Sequence, residues 1–218
     1  MPRTFDALVF DWDGTLSDST VPIAACMQAA CRDLGFTVPT LEQAKHVIGL
    51  GLDDALQRLL PEVPRSDYGR VVEAYRRHYF SRPTRHPLHE GMAELLQHLA
   101  GRGHALAVAT GKSVAGLRLS LEEVGLVDRF DALRTADVTA PKPDPTMLLE
   151  LMEELGVTPA RTLMIGDTAF DLDMAARAGV PGLAVMYGAH PADELQKWPA
   201  LGYMASPAEL SDWLKTNA

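Results

Sequence analysis

The chain has 218 residues, 47% of them hydrophobic and 22% charged, a globular composition that excludes disorder, collagen and coiled coil as overall descriptions. Lysine and arginine total 20 against 29 acidic residues, so the net charge of −9 has the wrong sign for coating a nucleic-acid polymer. No apolar run approaches the ~20 residues of a membrane span, and Met1 to Asp6 holds no apolar stretch of the kind that opens a secretory signal. These readings give the expectation of a cytoplasmic protein with no membrane contact. Cys26 and Cys31 sit about 140° apart if their segment is helical, so they read as two free core thiols.

In chain order, the apolar run 7–10 reads as a buried strand. The next stretch has helical spacing at 21–34, 41–46, 52–60 and 68–80, punctuated by Pro39, Pro61, Pro64 and Pro83. Beyond it helices are predicted at 91–101, 113–124, 144–155 and 171–178. Strands are predicted at 105–109, 163–165 and 183–186, with a weaker one at 131–135 and a short one around Tyr203. A last helix is capped by Ser206, with Glu209 three residues on. Near-continuous hydrophobicity suits central parallel strands, and strand–helix alternation suits a doubly wound, Rossmann-like α/β sheet. The segment after the first strand is too long for one crossover helix. It reads as an all-helical insert, 18–83, in a core made of 1–17 and 84–218.

Every chemical candidate falls at the C-terminal end of a predicted strand, where open parallel sheets bind ligands. Asp11-Trp12-Asp13-Gly14-Thr15 follows the first strand, and two carboxylates at an apolar strand tip are costly without a compensating cation or hydrogen bonds. Such residues alone also make ordinary turns. A calcium loop is excluded, because the position needing its glutamate is Pro22. After the second strand comes Thr110-Gly111-Lys112-Ser113. The glycine that a nucleotide-binding P-loop requires is replaced by Leu106, so what remains is a hydroxyl, a glycine and a helix start whose amides suit phosphate. Thr110 could equally cap a turn.

Lys142 lies between Pro141 and Pro143, one of five lysines in the chain and either a held functional group or a solvent-facing loop residue. Gly166-Asp167 and Asp171 follow the third strong strand, where N-capping would explain either acid alone. Asp11, Asp13, Asp167 and Asp171 on one sheet edge form a cluster too negative to stand without a metal, and hard oxygen ligands point to Mg2+. Within the insert, Gly49-Leu50-Gly51 is no dinucleotide fingerprint, since Asp54 occupies the third glycine position. The stretch 65–85 holds six arginines (Arg65, Arg70, Arg76, Arg77, Arg82 and Arg85) against Asp67 and Glu73, and reads as a solvated helix face or an aid to anion capture.

Taken in order, these four motifs resemble those of the haloacid dehalogenase superfamily, in its phosphoglycolate-phosphatase-like branch with a small helical cap. The resemblance covers nearly the whole chain, the insert 18–83 standing where that branch carries its cap. It implies a Mg2+-dependent phosphatase acting on a small phosphorylated metabolite, phosphoglycolate by default. Asp11 would attack phosphorus to form an aspartyl-phosphate, and Asp13 would act as acid and then base. The metal would be held by Asp11, the Asp13 carbonyl and Asp167, with Asp171 orienting the outer shell. Thr110, the Gly111 amide and Lys142 would hold the phosphoryl oxygens. The cap loop with Gly49, Gly51, Asp53 and Asp54 would select the substrate, its glycines allowing close approach to a ligand.

Departures within the superfamily discriminate among relatives. Its dehalogenases lack the second aspartate, which is present here as Asp13. Its phosphonate-cleaving members need a cap lysine, and the insert offers only Lys45. A phosphohexose mutase is the enzyme alternative, although Gly51-Leu52-Asp53-Asp54 stands where a Ser-Arg grip is expected. A non-catalytic binding member would usually have lost one of the acids, and all four are present.

Overall fold

The computed structural model describes residues 4–81 and 86–218. Pro83, Arg82, Arg85 and the 83/84 boundary of the insert lie outside the described residues. Six strands form one parallel sheet: β1 (Ala7–Phe10), β2 (Ala105–Thr110), β3 (Ala132–Thr135), β4 (Thr162–Gly166), β5 (Gly182–Val185) and β6 (Tyr203–Met204). Their order is β3-β2-β1-β4-β5-β6, so the chain winds outward from β1 in both directions. The strand predicted at 131–135 is therefore the sheet edge, and the one near Tyr203 is the opposite edge.

Alternate residues of the central strands feed two separate cores. Leu8 and Phe10 point to one face with Leu106, Val108, Leu163 and Ile165. There they meet α5 (Met92–Gly101), α6 (Val114–Val124) and α10 (Pro207–Asn217) through Leu95, Leu99, Leu117, Leu121, Leu210 and Leu214. Val9, Ala107, Ala109 and Met164 point the other way, against α7 (Thr146–Leu155) and α8 (Ala169–Arg177). Burial on both faces is why these strands read as continuous apolar runs. A four-residue helix, α9 (Ala192–Leu195), follows β5 and was not legible in the sequence.

The insert is helical throughout its described length, with α1 (Thr20–Leu34), α2 (Leu41–His46), α3 (Leu52–Leu59) and α4 (Tyr68–Ser81). It carries a core of its own, in which Met27 and Cys31 pack on Leu56, Leu60, Val63, Tyr68 and Val71. Both cysteines are thiols buried in α1. A smaller cluster of Val47, Leu50 and Ala55 with Phe170 of α8 joins insert to sheet layer. Where the chain leaves the sheet and where it returns, the two passes are bonded to each other: Ser17 bridges Leu88 in antiparallel fashion, Asp18 N–H donates to Pro87 O at 2.9 Å, and His89 N–H donates to Leu16 O at 2.9 Å. No helix among the described residues is long and apolar enough to cross a membrane.

Ile165 is fully buried in β4, in the core cluster it shares with Phe10 of β1 and Val108 of β2. Ile165→Ala should lower the unfolding free energy by about 2–5 kcal/mol, read from urea denaturation, because the site can collapse only partly.

Candidate active site

The register Phe10↔Ile165 and Phe10↔Val108 brings the ends of β1, β4 and β2 side by side. Asp11 follows β1, Asp167 follows β4, and Thr110 ends β2, so the sequence-predicted residues converge at the point where the strand order reverses. Asp11, Asp13, Thr110, Lys142, Asp167 and Asp171 are all buried.

Lys142 sits at the centre of the cluster, only 1% exposed. Its Nζ donates to Asp11 Oδ1 at 2.6 Å and to Asp171 Oδ1 at 2.5 Å. Burial opposes its charge, but Asp11 and Asp171 outweigh that and hold the ammonium above the usual lysine range. Asp171 is fixed from its other oxygen too. Its Oδ2 accepts from Thr168 N–H at 3.0 Å and Thr168 Oγ1 at 2.7 Å, while Thr168 Oγ1 accepts from Asp171 N–H, closing a capping box on α8.

Asp167 accepts from Thr15 Oγ1 at 2.8 Å and from Ala189 N–H at 2.7 Å. It approaches the backbone so closely that a Cβ at Gly14 or Gly188 would collide with its carboxylate, at 2.2 and 2.1 Å. Gly14 also has φ +87°, so glycine is required there on two counts. Burial, then the charges of Asp11 and Asp171, hold Asp167 well above the carboxylate range. Asp11 is pushed up to about 7 by burial and by Asp171 and Asp13, against the pull of Lys142.

Asp13 belongs to a second charged group. Lys112 Nζ donates to its two oxygens at 2.8 and 2.9 Å, and Ser19 Oγ donates at 2.6 Å. Lys112 is itself held above the usual range, Asp13 outweighing the cost of burial, and its ammonium lies 5.1 Å from the Tyr79 ring centroid on α4. Thr110 Oγ1 accepts from Lys112 N–H at 3.2 Å.

The expectation that the acid cluster is too negative to stand without a metal took no account of these two lysines. Lys142 and Lys112 offset part of the charge from within the chain. Lys112 and Ser19 were missed in the sequence. Lys112 was set aside together with the P-loop, although a lysine directly after a strand-end glycine in a lysine-poor chain was the available signal.

A divalent cation fits what remains. Carboxylate oxygens of Asp11, Asp167 and Asp171 lie within 4.8 Å of one another. Asp11 Oδ2 is buried and has no hydrogen-bond partner among the described residues. Both oxygens of Asp171 and both of Asp167 already accept hydrogen bonds, so among the described residues Asp11 Oδ2 is the unpartnered oxygen of the three acids, a hard donor of the kind magnesium takes.

A second group spaced for an ion, His46, His190 and Glu194, is differently disposed. His190 Nδ1 accepts from Ala169 N–H at 3.1 Å, so Nε2 carries the proton and donates to His46 O at 3.0 Å. Both ring nitrogens are spent joining α8 to α2. That group is a structural contact between sheet layer and insert.

The loop Gly49 to Asp54 lines the cavity above Asp11 and Asp13, but its glycines approach the core rather than open space. A Cβ on Gly111 would lie 2.5 Å from Leu50 O and 2.6 Å from Gly49 O. One on Gly51 would lie 3.1 Å from Pro141, and Gly49 (φ +97°) abuts Thr168. The insert thus seats its loop directly on three of the four motif-bearing loops. Of the arginines in the basic stretch, Arg70 pairs with Asp67 and Arg77 with Asp33, while Arg76 reaches the cavity.

Two outcomes follow from this geometry. In chelator-treated protein the folded state keeps a proton on Asp11, raised to about 7, that the unfolded chain with its value of 3.8 has released. Stability from this group therefore falls as pH rises through that window. Asp11→Asn removes the contribution, so the difference between the two urea midpoints should change from about pH 4 to 7; a flat difference contradicts the reading. Gly111→Ala should unseat the insert loop, seen as faster amide exchange at Val47 to Leu50 with unchanged exchange in β1 and β4.

Comparison with known proteins agrees with this architecture. The family model for haloacid dehalogenase-like hydrolases matches residues 8–185. A probable phosphatase, IndB, of Dickeya dadantii is 38% identical over 196 residues, covering 87% of this chain and 84% of the relative. The phosphoglycolate phosphatase of Thiobacillus denitrificans is 32% identical over 195 residues, covering 86% of each. The crystal structure of a phosphoglycolate phosphatase inferred in Haemophilus somnus superposes over 100% of both chains with a TM-score of 0.89 at 21% identity, which shows the shared fold. A chain matched by the family model along most of its length, with its four motif loops gathered at one sheet edge, belongs to the haloacid dehalogenase-like hydrolases.

Proposed function

We propose that this hydrolase is a magnesium-dependent phosphatase that cleaves a small phosphomonoester through a phosphoryl group carried on Asp11. One observation carries the reading: Asp11 lines the cavity with one oxygen clamped by Lys142 and the other without a hydrogen-bond partner among the described residues. A carboxylate fixed in this way is oriented for in-line attack on phosphorus. The relatives named phosphatases support the same reaction class.

The roles follow from position. Asp13 shares the cavity with Asp11 and is held there by Lys112 and Ser19, within reach of a departing oxygen. It gives that oxygen its proton, then takes one from the water that hydrolyses the aspartyl-phosphate. Thr110 and Gly111 line the same cavity and offer hydroxyl and amide donors to the phosphoryl oxygens. Lys142 keeps a positive charge beside the attacking group throughout. Asp11, the Asp13 carbonyl and Asp167 would hold the cation, and Asp171 steadies the cluster through Lys142. When bound, magnesium supplies positive charge against the phosphoryl oxygens and the crowded acids.

Rapid acid quench and intact-mass measurement test this. Asp13→Asn should retain metal binding but lose about 10²–10⁴-fold in turnover of alkyl phosphates, and with an aryl phosphate it should accumulate one phosphoryl group. Asp11→Asn should show neither turnover nor adduct. Chelation should stop the wild-type enzyme and magnesium should restore it. Full turnover by Asp11→Asn would remove the mechanism.

A further inference from the structure

The cavity above Asp11 and Asp13 has a volume of about 550 Å³. That is in the range of sites that enclose drug-sized molecules, far more than a phosphoryl group on a two-carbon acid fills. Its chemistry is uneven. The insert side presents Ile23, Met27, Val72, Tyr75, Tyr79 and Phe80. Tyr75 and Tyr79 are one turn apart on α4 and stack with ring centroids 5.8 Å apart at 28°, and Phe80 meets Tyr79 edge-on at 5.4 Å. Tyr79 also stacks on His86 at 5.5 Å and lies under the Lys112 ammonium at 5.1 Å, so the rings form one aromatic cluster in the cavity lining. The Tyr75 hydroxyl makes no hydrogen bond among the described residues, so it is free to engage a polar atom on a bound group.

The charges on the lining point the same way. Five carboxylates line the cavity (Asp11, Asp13, Asp53, Asp54 and Asp137) against two cations, Arg76 and Lys112. Lys112 is committed to both oxygens of Asp13, and Arg76 is an exposed residue at the cavity edge. Asp53, Asp54 and Asp137 are exposed like Arg76, and the interior acids are matched, Asp11 by Lys142 and Asp13 by Lys112, so an anionic leaving group would find no uncommitted interior cation. A neutral one loses nothing there and gains apolar burial.

We infer that the physiological substrate is the phosphate ester of an uncharged, ring-bearing alcohol, its planar ring lying against the aromatic cluster at Tyr75 while its phosphoryl group meets Asp11. This narrows the phosphatase reading above and rests on it. It also sets aside phosphoglycolate, whose leaving group carries a carboxylate.

Matched alkyl esters separate ring recognition from leaving-group reactivity. Initial rates with magnesium would be compared for propyl phosphate, 3-cyclohexylpropyl phosphate, 3-phenylpropyl phosphate and phosphoglycolate. The phenyl ester should exceed propyl phosphate in kcat/KM by about tenfold or more, from burial. It should exceed the cyclohexyl ester by about two- to tenfold, from ring-on-ring contact, and phosphoglycolate should be the poorest of the four. Tyr75→Leu should bring the phenyl-to-cyclohexyl ratio close to one, a ratio that a general loss of folding does not change. If phosphoglycolate leads, or the cyclohexyl ester equals the phenyl ester, the ring inference is overturned and the phosphatase reading stands. If folded wild-type protein hydrolyses none of the four, the phosphatase reading fails and this inference fails with it.

Discussion

A single buried ammonium group organises the catalytic edge of this protein. Taking a lysine out of water costs several kcal/mol, and attraction to a carboxylate offsets that only in good geometry. Lys142 meets the condition with two carboxylates, one at the tip of β1 and one in the first turn of α8. If either acid moves, the lysine loses one of its two partners, so three remote chain segments are tied into one unit. Pro141 and Pro143 stiffen the loop that delivers the lysine, and Thr168 fixes Asp171 from behind. The site is thus held in place before any ligand arrives, which is the arrangement electrostatic catalysis requires.

The positions without side chains matter as much. Gly14 and Gly188 leave room for Asp167 to press against the backbone, and Gly111 lets two carbonyls of the insert loop rest on the end of β2. Each is a place where one added methyl group would displace something functional. Close packing transmits such a displacement instead of absorbing it. The loop Leu50 seats is therefore mechanically continuous with the motif loops, and the small apolar cluster around Phe170 is what holds it down.

Much of this was legible in the sequence, for local reasons. The central strands are buried on both faces and so appear as uninterrupted apolar runs, and the insert announced itself by helical spacing over a length no crossover needs. The acids were legible because charged residues at the tip of an apolar strand are anomalous. What escaped detection was set by distant partners. Lys112 meets Asp13 across 99 residues of chain, and no local pattern encodes that pairing. The helix predicted from 171 begins at Ala169. There Thr168 and Asp171 form a capping box, a signal hidden because both residues also read as site chemistry. The glycines of the insert loop were read as letting a ligand approach closely, but the surface they abut is the core itself. The four residues of α9 were too few to show a period.

The neck between sheet and insert has a consequence for how this chain can change. Ser17 and Leu88 face each other across an antiparallel bridge, with backbone bonds on either side. Adjacent strands lie roughly 4.8 Å apart, so the sheet experiences everything between them as it would a tight hairpin. Closure entropy grows only slowly with loop length, and the bridge fixes the ends whatever lies beyond. The intervening helices can therefore lengthen, shorten or be exchanged through descent with little penalty to the sheet. New specificities can arise on one side of the neck while the chemistry on the other side is inherited intact.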